Sequence, residues 1–381
     1  MADVDVAVIG GGIIGLAVAW RAGASGLAVT LVERGELGGA ATHVAAGMLA
    51  PVAEADPGER TLLALGLESA ARWPGFAAAL EDASGLDVGY RACGTLVLAR
   101  DRDEAEHLDR ELALRETLGL RAQRLLPSQA RAAEPALAPT LRGALDVPDD
   151  HAVDPRLVAA ALGVAAGRVG AVLRPNTAVE RVDVAGGRVT GVTLAGGERV
   201  RAARVVVATG AWAGEGLGLP AAAAIPVRPV KGQLLRLRDP AGPGLCTHVL
   251  RFQGAYLVPR GDGRYLLGAT VEELGFDTAV TAGGVFALLR DASELMPGIF
   301  ELELEEALAG LRPGTPDNAP VLGASACVEG LLWAAGHHRN GVLLAPLTAD
   351  ALLAVLTGAG ADLDVLAPFS GDRFAAAGAP A

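Results

Sequence analysis

The chain opens on an unbroken apolar run, Val4–Ile9, followed at once by Gly10-Gly11-Gly12-Ile13-Ile14-Gly15. A short β-branched run closed by glycines predicts a strand buried on both faces. Ile13, Leu16, Ala17 and Trp20 then recur at helical spacing, which predicts a helix over Leu16–Ala24. Ala28–Val32 repeats the strand pattern and ends in Glu33. The start of the chain is therefore a βαβ unit. Two further strands of the same kind lie far downstream. Val205–Ala208 ends in Thr209-Gly210-Ala211-Trp212. Leu331–Ala335 ends in Gly336-His337-His338-Arg339-Asn340-Gly341 and leads into a predicted helix, Val342–Leu356.

Between these pieces the pattern changes. Arg188–Val200, Gln233–Arg238 and Ala255–Ala269 alternate between glycine turns and predict hairpins. Glu59–Leu80, Asp103–Leu118, Asp154–Gly167 and Ala282–Leu295 are amphipathic at helical period. With no repeat and no low-complexity linker, the expectation is an α/β chain with mixed α+β parts. A doubly wound, Rossmann-like domain comes from 1–84, 151–219 and 313–381. A mixed-sheet domain is inserted as 85–150 and 220–312.

Length and composition agree with that division. With 381 residues, half of them apolar, the chain can bury two cores. The formal net charge of −12 argues against nucleic acid or an anionic membrane as partner, so an anionic ligand would need local arginines. Lys231 is the only lysine. Cys93, Cys246 and Cys327 have neither metal-type nor CxxC spacing, which suits a reducing compartment. Asp3 and Asp5 precede the first strand without a basic segment, so no signal peptide is expected. The apolar stretch Val342–Ala359 is broken by Pro346 and Asp350, so no spanning helix is expected and a cytoplasmic location is.

Gly10-x-Gly12-x-x-Gly15 between a strand and a helix is the dinucleotide fingerprint in its proper setting. Gly10 permits the turn, Gly12 the approach of a pyrophosphate, and Gly15 close helix–strand packing. The free N–H groups of the helix start favour phosphate. Glu33 is placed to accept from a ribose diol and would repel a 2′-phosphate. The fingerprint does not separate FAD from NAD. The small-residue run Gly38–Pro51, with Thr42 and Gly47, permits close approach of an extended ligand, and read blandly it is a flexible loop.

At these residues the chain resembles the D-amino-acid-oxidase-like flavoprotein family, and within it the glycine oxidase (ThiO-like) branch that serves thiamine thiazole biosynthesis. The resemblance runs nearly end to end. It is carried by the fingerprint with Glu33-Arg34, by Ala41–Ala50, Val205–Trp212, Gly310-Leu311-Arg312-Pro313-Gly314-Thr315 and Ala335–Gly341. It implies noncovalent FAD lined by Ile13, Ile14, Glu33, Arg34, Ala41, Thr42, Ala46, Gly47, Met48, Thr209 and Gly210, with Val179 beside the adenine. His337, His338, Arg339, Asn340, Gly341, Val342 and Leu343 would wrap the flavin ring. Arg312 would clamp the substrate carboxylate, Tyr256 would share it, and Arg339 would stand nearby. Val271 replaces the methionine that the branch carries after Gly-Ala-Thr, which leaves pocket size open.

The chemistry so implied is oxidation of a small amino acid, glycine first, to the imine and glyoxylate, with O2 reduced to H2O2. A thiazole synthase partner and a homo-oligomer follow from the same resemblance. An arginine fork fixes a carboxylate in two directions where lysine would not. Taken alone, Arg312 in a Pro/Gly loop reads as a salt-bridge partner, Tyr256 as a core aromatic, and Arg339 as a brace. Adjacent His337 and His338 lack a third ligand, so no metal is expected. Cys327 precedes the last strand, away from the flavin loop. Glu301–Glu306 reads as a solvated acidic face. The competing readings are a D-amino-acid or sarcosine oxidase or dehydrogenase, a non-catalytic FAD protein, and an NAD-dependent dehydrogenase.

Overall fold

The computed structural model describes residues 3–215, 217–242, 244–359 and 366–377. Two eight-stranded sheets organise the chain. In the first, Val172–Arg174, Val29–Val32, Asp3–Ile9, Arg199–Val207 and Leu331–Ala335 run parallel in that order. Val321–Ala324 closes one edge antiparallel, and the meander Val179–Ala185 and Arg188–Leu194 pairs onto Arg199–Val207. The helices Ile13–Ala24, Arg60–Ser84, Pro155–Arg168 and Ala345–Thr357 bury Leu16, Trp20, Trp73, Phe76, Leu162 and Leu352 against one face. Val182, Val192, Ile225 and Trp333 cover the other. Burial from both sides is why the strands read as continuous apolar runs rather than alternating ones.

The second sheet runs Glu303–Gly314, Arg228–Arg238, Arg264–Gly268, Ala255–Pro259, Val249–Phe252, Thr95–Ala99, Gly143–Val147 and Gln123–Leu125. Its neighbours are antiparallel except Val249–Phe252 with Thr95–Ala99, so the sheet is mixed. Helix Ala282–Leu295 packs on one face through Leu288, Ala292 and Leu295. Helix Arg102–Thr117 and the turn at Ala50–Ala53 cover the other end.

Four local readings change. The long helix runs Arg60–Ser84, a turn further than its amphipathic pattern suggests, and stops at Gly85 in the left-handed region (φ 70°). The C-terminal helix starts at Ala345 rather than Val342: His338–Asn340 form a 3-10 turn and residues 341–344 a further turn, closed by Leu344 N–H donating to the Asn340 carbonyl. Arg312 sits in the strand Glu303–Gly314, not in a loop. Pro313 is tolerated there because this is an edge strand, where a missing N–H costs no ladder bond. Glu306 of the same strand pairs with Arg156 at 2.8 Å and Arg236 at 3.5 Å, so that end of the acidic stretch is engaged rather than merely solvated.

Candidate functional site

The turn after the first strand is built by absence of side chains. Gly10 has φ 111°, and a Cβ there would lie 2.3 Å from the Ala208 carbonyl. A Cβ on Gly15 would lie 1.9 Å from the Gly10 carbonyl. Gly15 therefore does not line the cavity; it lets the helix seat behind the turn. Gly12 is extended, and its nearest obstacle would be the Thr42 hydroxyl at 3.3 Å, so its open side faces the cavity. At the helix start, Ile13 N–H donates to Thr42 Oγ1 at 3.0 Å, which leaves the threonine proton free for an anion. The Glu33 carboxylate accepts from Gly11 N–H at 2.6 Å and Gly35 N–H at 2.8 Å. Two amides fix it in place and leave lone pairs for hydroxyl donors. Arg34 lies 3.8 Å over the Trp212 ring.

Further along, Gly47 has φ 78°, and a Cβ there would meet the Val153 carbonyl at 2.0 Å. The chain is thereby pinned flat along the cavity beside Ala46 and Met48. Arg260, from the second sheet, donates to the Ala46 and Val153 carbonyls at 2.8 Å each and stands 3.5 Å from Asp154. Burial lowers its pKa to about 10, which leaves it charged at neutral pH. This one side chain thus joins the end of strand Ala255–Pro259 to the segments at Ala46 and Val153–Asp154.

The loop after Leu331–Ala335 closes the far side. His337 is buried with Nε2 3.1 Å from Thr348 Oγ1, and burial takes its pKa down to about 3. His338 is lowered to about 4, by burial first and then by the positive charge of Arg339, Arg312 and Arg228. Both rings are neutral at physiological pH. Arg339 is paired with Glu54 at 3.2 Å and Glu59 at 3.1 Å. Its charge is engaged in bracing the loop, although the residue lines the cavity.

Arg312 differs. Its Nη1 donates to the Lys231 carbonyl at 3.3 Å and the Thr270 carbonyl at 3.1 Å. Among the described residues no carboxylate lies within ion-pair distance of it, yet it lines the cavity. Gly232 makes the space: a Cβ there would lie 2.4 Å from Arg312 Nη1. Gly268 does the same for Tyr256, whose hydroxyl would be 2.9 Å from a Cβ. Burial raises the Tyr256 phenol, with the Arg312 guanidinium pulling it the other way, so the hydroxyl is a proton donor at neutral pH.

A single cavity of about 880 Å³ connects Glu33 and Arg34 at one end to Tyr256 and Arg312 at the other. Every residue expected at the site lines it except Gly15. Buried Thr209 Oγ1 and His338 Nδ1, on residues that both line the cavity, have no hydrogen-bond partner. Partnerless polar atoms facing a cavity can be satisfied by a ligand or by water that fills it. The glycine cradle, the fixed carboxylate and these two atoms fit an extended dinucleotide flavin. Val271 is 74% exposed and stands at the mouth, so it trims the rim rather than an inner wall. Sequence reasoning left out Glu54 and Arg251, which face the cavity 4.0 Å apart, and Gly232 and Gly268. No local signal distinguishes those two glycines from turn glycines. Among the described residues no group of three His, Cys, Asp or Glu side chains could hold a metal, and no helix is long and apolar enough to cross a membrane.

The fold and this cavity define an FAD-dependent oxidoreductase. The chain belongs to the family described as FAD dependent oxidoreductase, whose pattern it matches over residues 5–354. It is 38% identical to a glycine oxidase of Geobacillus kaustophilus (strain HTA426), over 96% of both chains. A crystal structure of glycine oxidase from Geobacillus kaustophilus superposes with a TM-score of 0.91 at 36% identity, covering 98% of this chain and 99% of that one. The chain is also 37% identical to a bifunctional protein ThiO/ThiG of Trichormus variabilis (strain ATCC 29413 / PCC 7937), over 91% of its own length and 51% of that protein.

Proposed function

We propose that the protein oxidises glycine: glycine, O2 and water give glyoxylate, ammonia and H2O2. The observation that carries this reading is Arg312, a guanidinium without a carboxylate partner among the described residues, opening into the same cavity as the dinucleotide cradle. Bound FAD supplies the acceptor for the hydride leaving Cα. The chain's own groups bind and orient. Arg312 takes the substrate carboxylate and Tyr256 donates a second hydrogen bond to it, which fixes the direction of Cα. Arg339, held by Glu54 and Glu59, braces the loop that closes the cavity rather than binding substrate. Neutral His337 and His338 add no charge to repel an ammonium substrate. The substrate amine must lose a proton before hydride leaves, so turnover rises with pH through that group.

The flavin is held noncovalently: Cys327 Sγ is exposed and donates to the Ala222 carbonyl, away from the cavity. In this reading 1–84, 151–219 and 313–381 hold the cofactor, and 85–150 with 220–312 close over the substrate. The enzyme acts in the cytoplasm as a homo-oligomer. Similarity to bifunctional ThiO/ThiG proteins supports a thiazole synthase as the consumer of the imine. Val271 at the open rim favours a second reading, in which sarcosine or a small D-amino acid is the better substrate.

Anaerobic reduction of the purified holoenzyme by glycine, sarcosine, D-alanine and D-proline, followed in the visible flavin band, separates these. Glycine is expected to bleach the flavin fastest, with peroxide on aeration. Faster bleaching by a bulkier substrate moves the assignment to the second reading. No bleaching by any of the four overturns both.

A further inference from the structure

Lys231 and Gln233 alternate on the long strand Arg228–Arg238 and so project from the same face. Both grip one segment, residues 270–281, which is largely exposed and lies outside any helix or strand apart from one bridging residue. The Lys231 side chain is fully buried, with Nζ 2.5 Å from Asp277 Oδ2 and 3.8 Å from Glu272 Oε2. The backbones of Lys231 and Glu272 exchange N–H···O bonds of 2.8 and 3.0 Å. Gln233 donates from Nε2 to Glu272 at 2.8 Å and accepts from Thr281 N–H at 2.8 Å, and its own N–H donates to Thr270 Oγ1 at 2.9 Å. The segment is thus held at its start, middle and end.

Its start bears directly on the clamp. The two carbonyls that hold the Arg312 guanidinium are those of Lys231 and Thr270. Past the middle, Phe276 stacks on Trp212 at 5.6 Å, next to Arg34 at the dinucleotide end of the cavity. We propose that Lys231 is a positioning residue: by pairing with Asp277 and Glu272 it fixes segment 270–281, and so aims Arg312 at the substrate carboxylate. A buried ammonium stripped of its carboxylates is strongly unfavourable, so the segment cannot lift while the lysine stays inside. Without that latch the Thr270 carbonyl is free to move, and Arg312 must be ordered at the moment of binding, which weakens affinity. The proposal rests on Arg312 being the carboxylate clamp.

The test uses the holoenzyme and acetate, a carboxylate with no oxidisable amine, titrated through its perturbation of the flavin spectrum. Lys231→Met is expected to weaken acetate about tenfold, equivalent to about 1.4 kcal/mol, with glycine KM rising more than kcat falls. Asp277→Asn, a substitution at an exposed residue, is expected to shift acetate in the same direction and decides the matter where Lys231→Met does not fold. Lys231→Arg is expected to recover part of the loss. Wild-type acetate affinity in both Lys231→Met and Asp277→Asn, alongside its loss in Arg312→Leu, overturns the latch and leaves the clamp standing. Acetate affinity retained in Arg312→Leu removes the clamp itself, and the latch with it.

Discussion

Replacing Arg312 by leucine tests the site most directly. In the folded protein the guanidinium makes two hydrogen bonds, both to backbone carbonyls, and meets no carboxylate among the described residues. Its remaining donors are free to form the bidentate pair with a substrate carboxylate. Removing one partner of a desolvated ion pair typically costs about 3–5 kcal/mol. At about 1.4 kcal/mol per factor of ten, kcat/KM for glycine should fall about 100- to 4,000-fold. Leucine leaves the Lys231 and Thr270 carbonyls near the cavity, where water can reach them, so the fold and the flavin should stay. The assay is stopped-flow anaerobic reduction across a glycine series, with flavin content measured on the same preparation. Arg339→Gln serves as the contrast: an arginine already paired with Glu54 and Glu59 should cost less than about tenfold. Equal losses in the two variants, or full activity in Arg312→Leu, would refute the division of roles between clamp and brace.

The fingerprint glycines separate two functions. Gly15→Ala drives a Cβ to 1.9 Å from the Gly10 carbonyl and should destabilise the fold by about 3 kcal/mol, read in urea denaturation. Gly12→Ala meets only the Thr42 hydroxyl at 3.3 Å, so the apoprotein should keep its stability while FAD affinity falls; equal stability losses would contradict this. A third expectation concerns Asp150, whose carboxylate is buried, accepts from Val52 and Ala53 N–H, and is pushed up to about 7 by burial. A folded pKa raised above 3.8 contributes stability fully present below that value and lost as pH rises through about 7. Relative to Asp150→Asn, wild type should therefore lose up to about 4 kcal/mol between those limits. The buried His337 is common to both proteins and cancels in the difference. A flat difference across that window would show that the carboxyl is charged throughout.

Much of the cofactor half was legible along the chain because its determinants are local. Strand, glycine turn, helix and Glu33 follow within one βαβ unit, and each has a steric or electrostatic reason to be where it is. The substrate half was less legible. Arg312 stood beside Pro313 and Gly314, which read as a loop, and only its position on an edge strand explains why a proline is tolerated there. Arg339 and Arg312 are alike in sequence setting. Their difference is set by Glu54 and Glu59, which come from segments far away in the chain.

By itself, the sequence determined the doubly wound class and the glycine turn that opens it, and family resemblance put forward Arg312 and Tyr256 as candidates for the clamp. Periodicity and glycine stereochemistry act over a few residues and need no partner to be read. The tertiary structure alone decided which arginine meets carboxylates and which, among the described residues, does not, where Gly232 and Gly268 open room for a side chain, and which carboxylates Lys231 is paired with. Those properties depend on through-space distances between strands and loops that are remote in sequence. Charge compensation and steric room have no signature until the chain has folded.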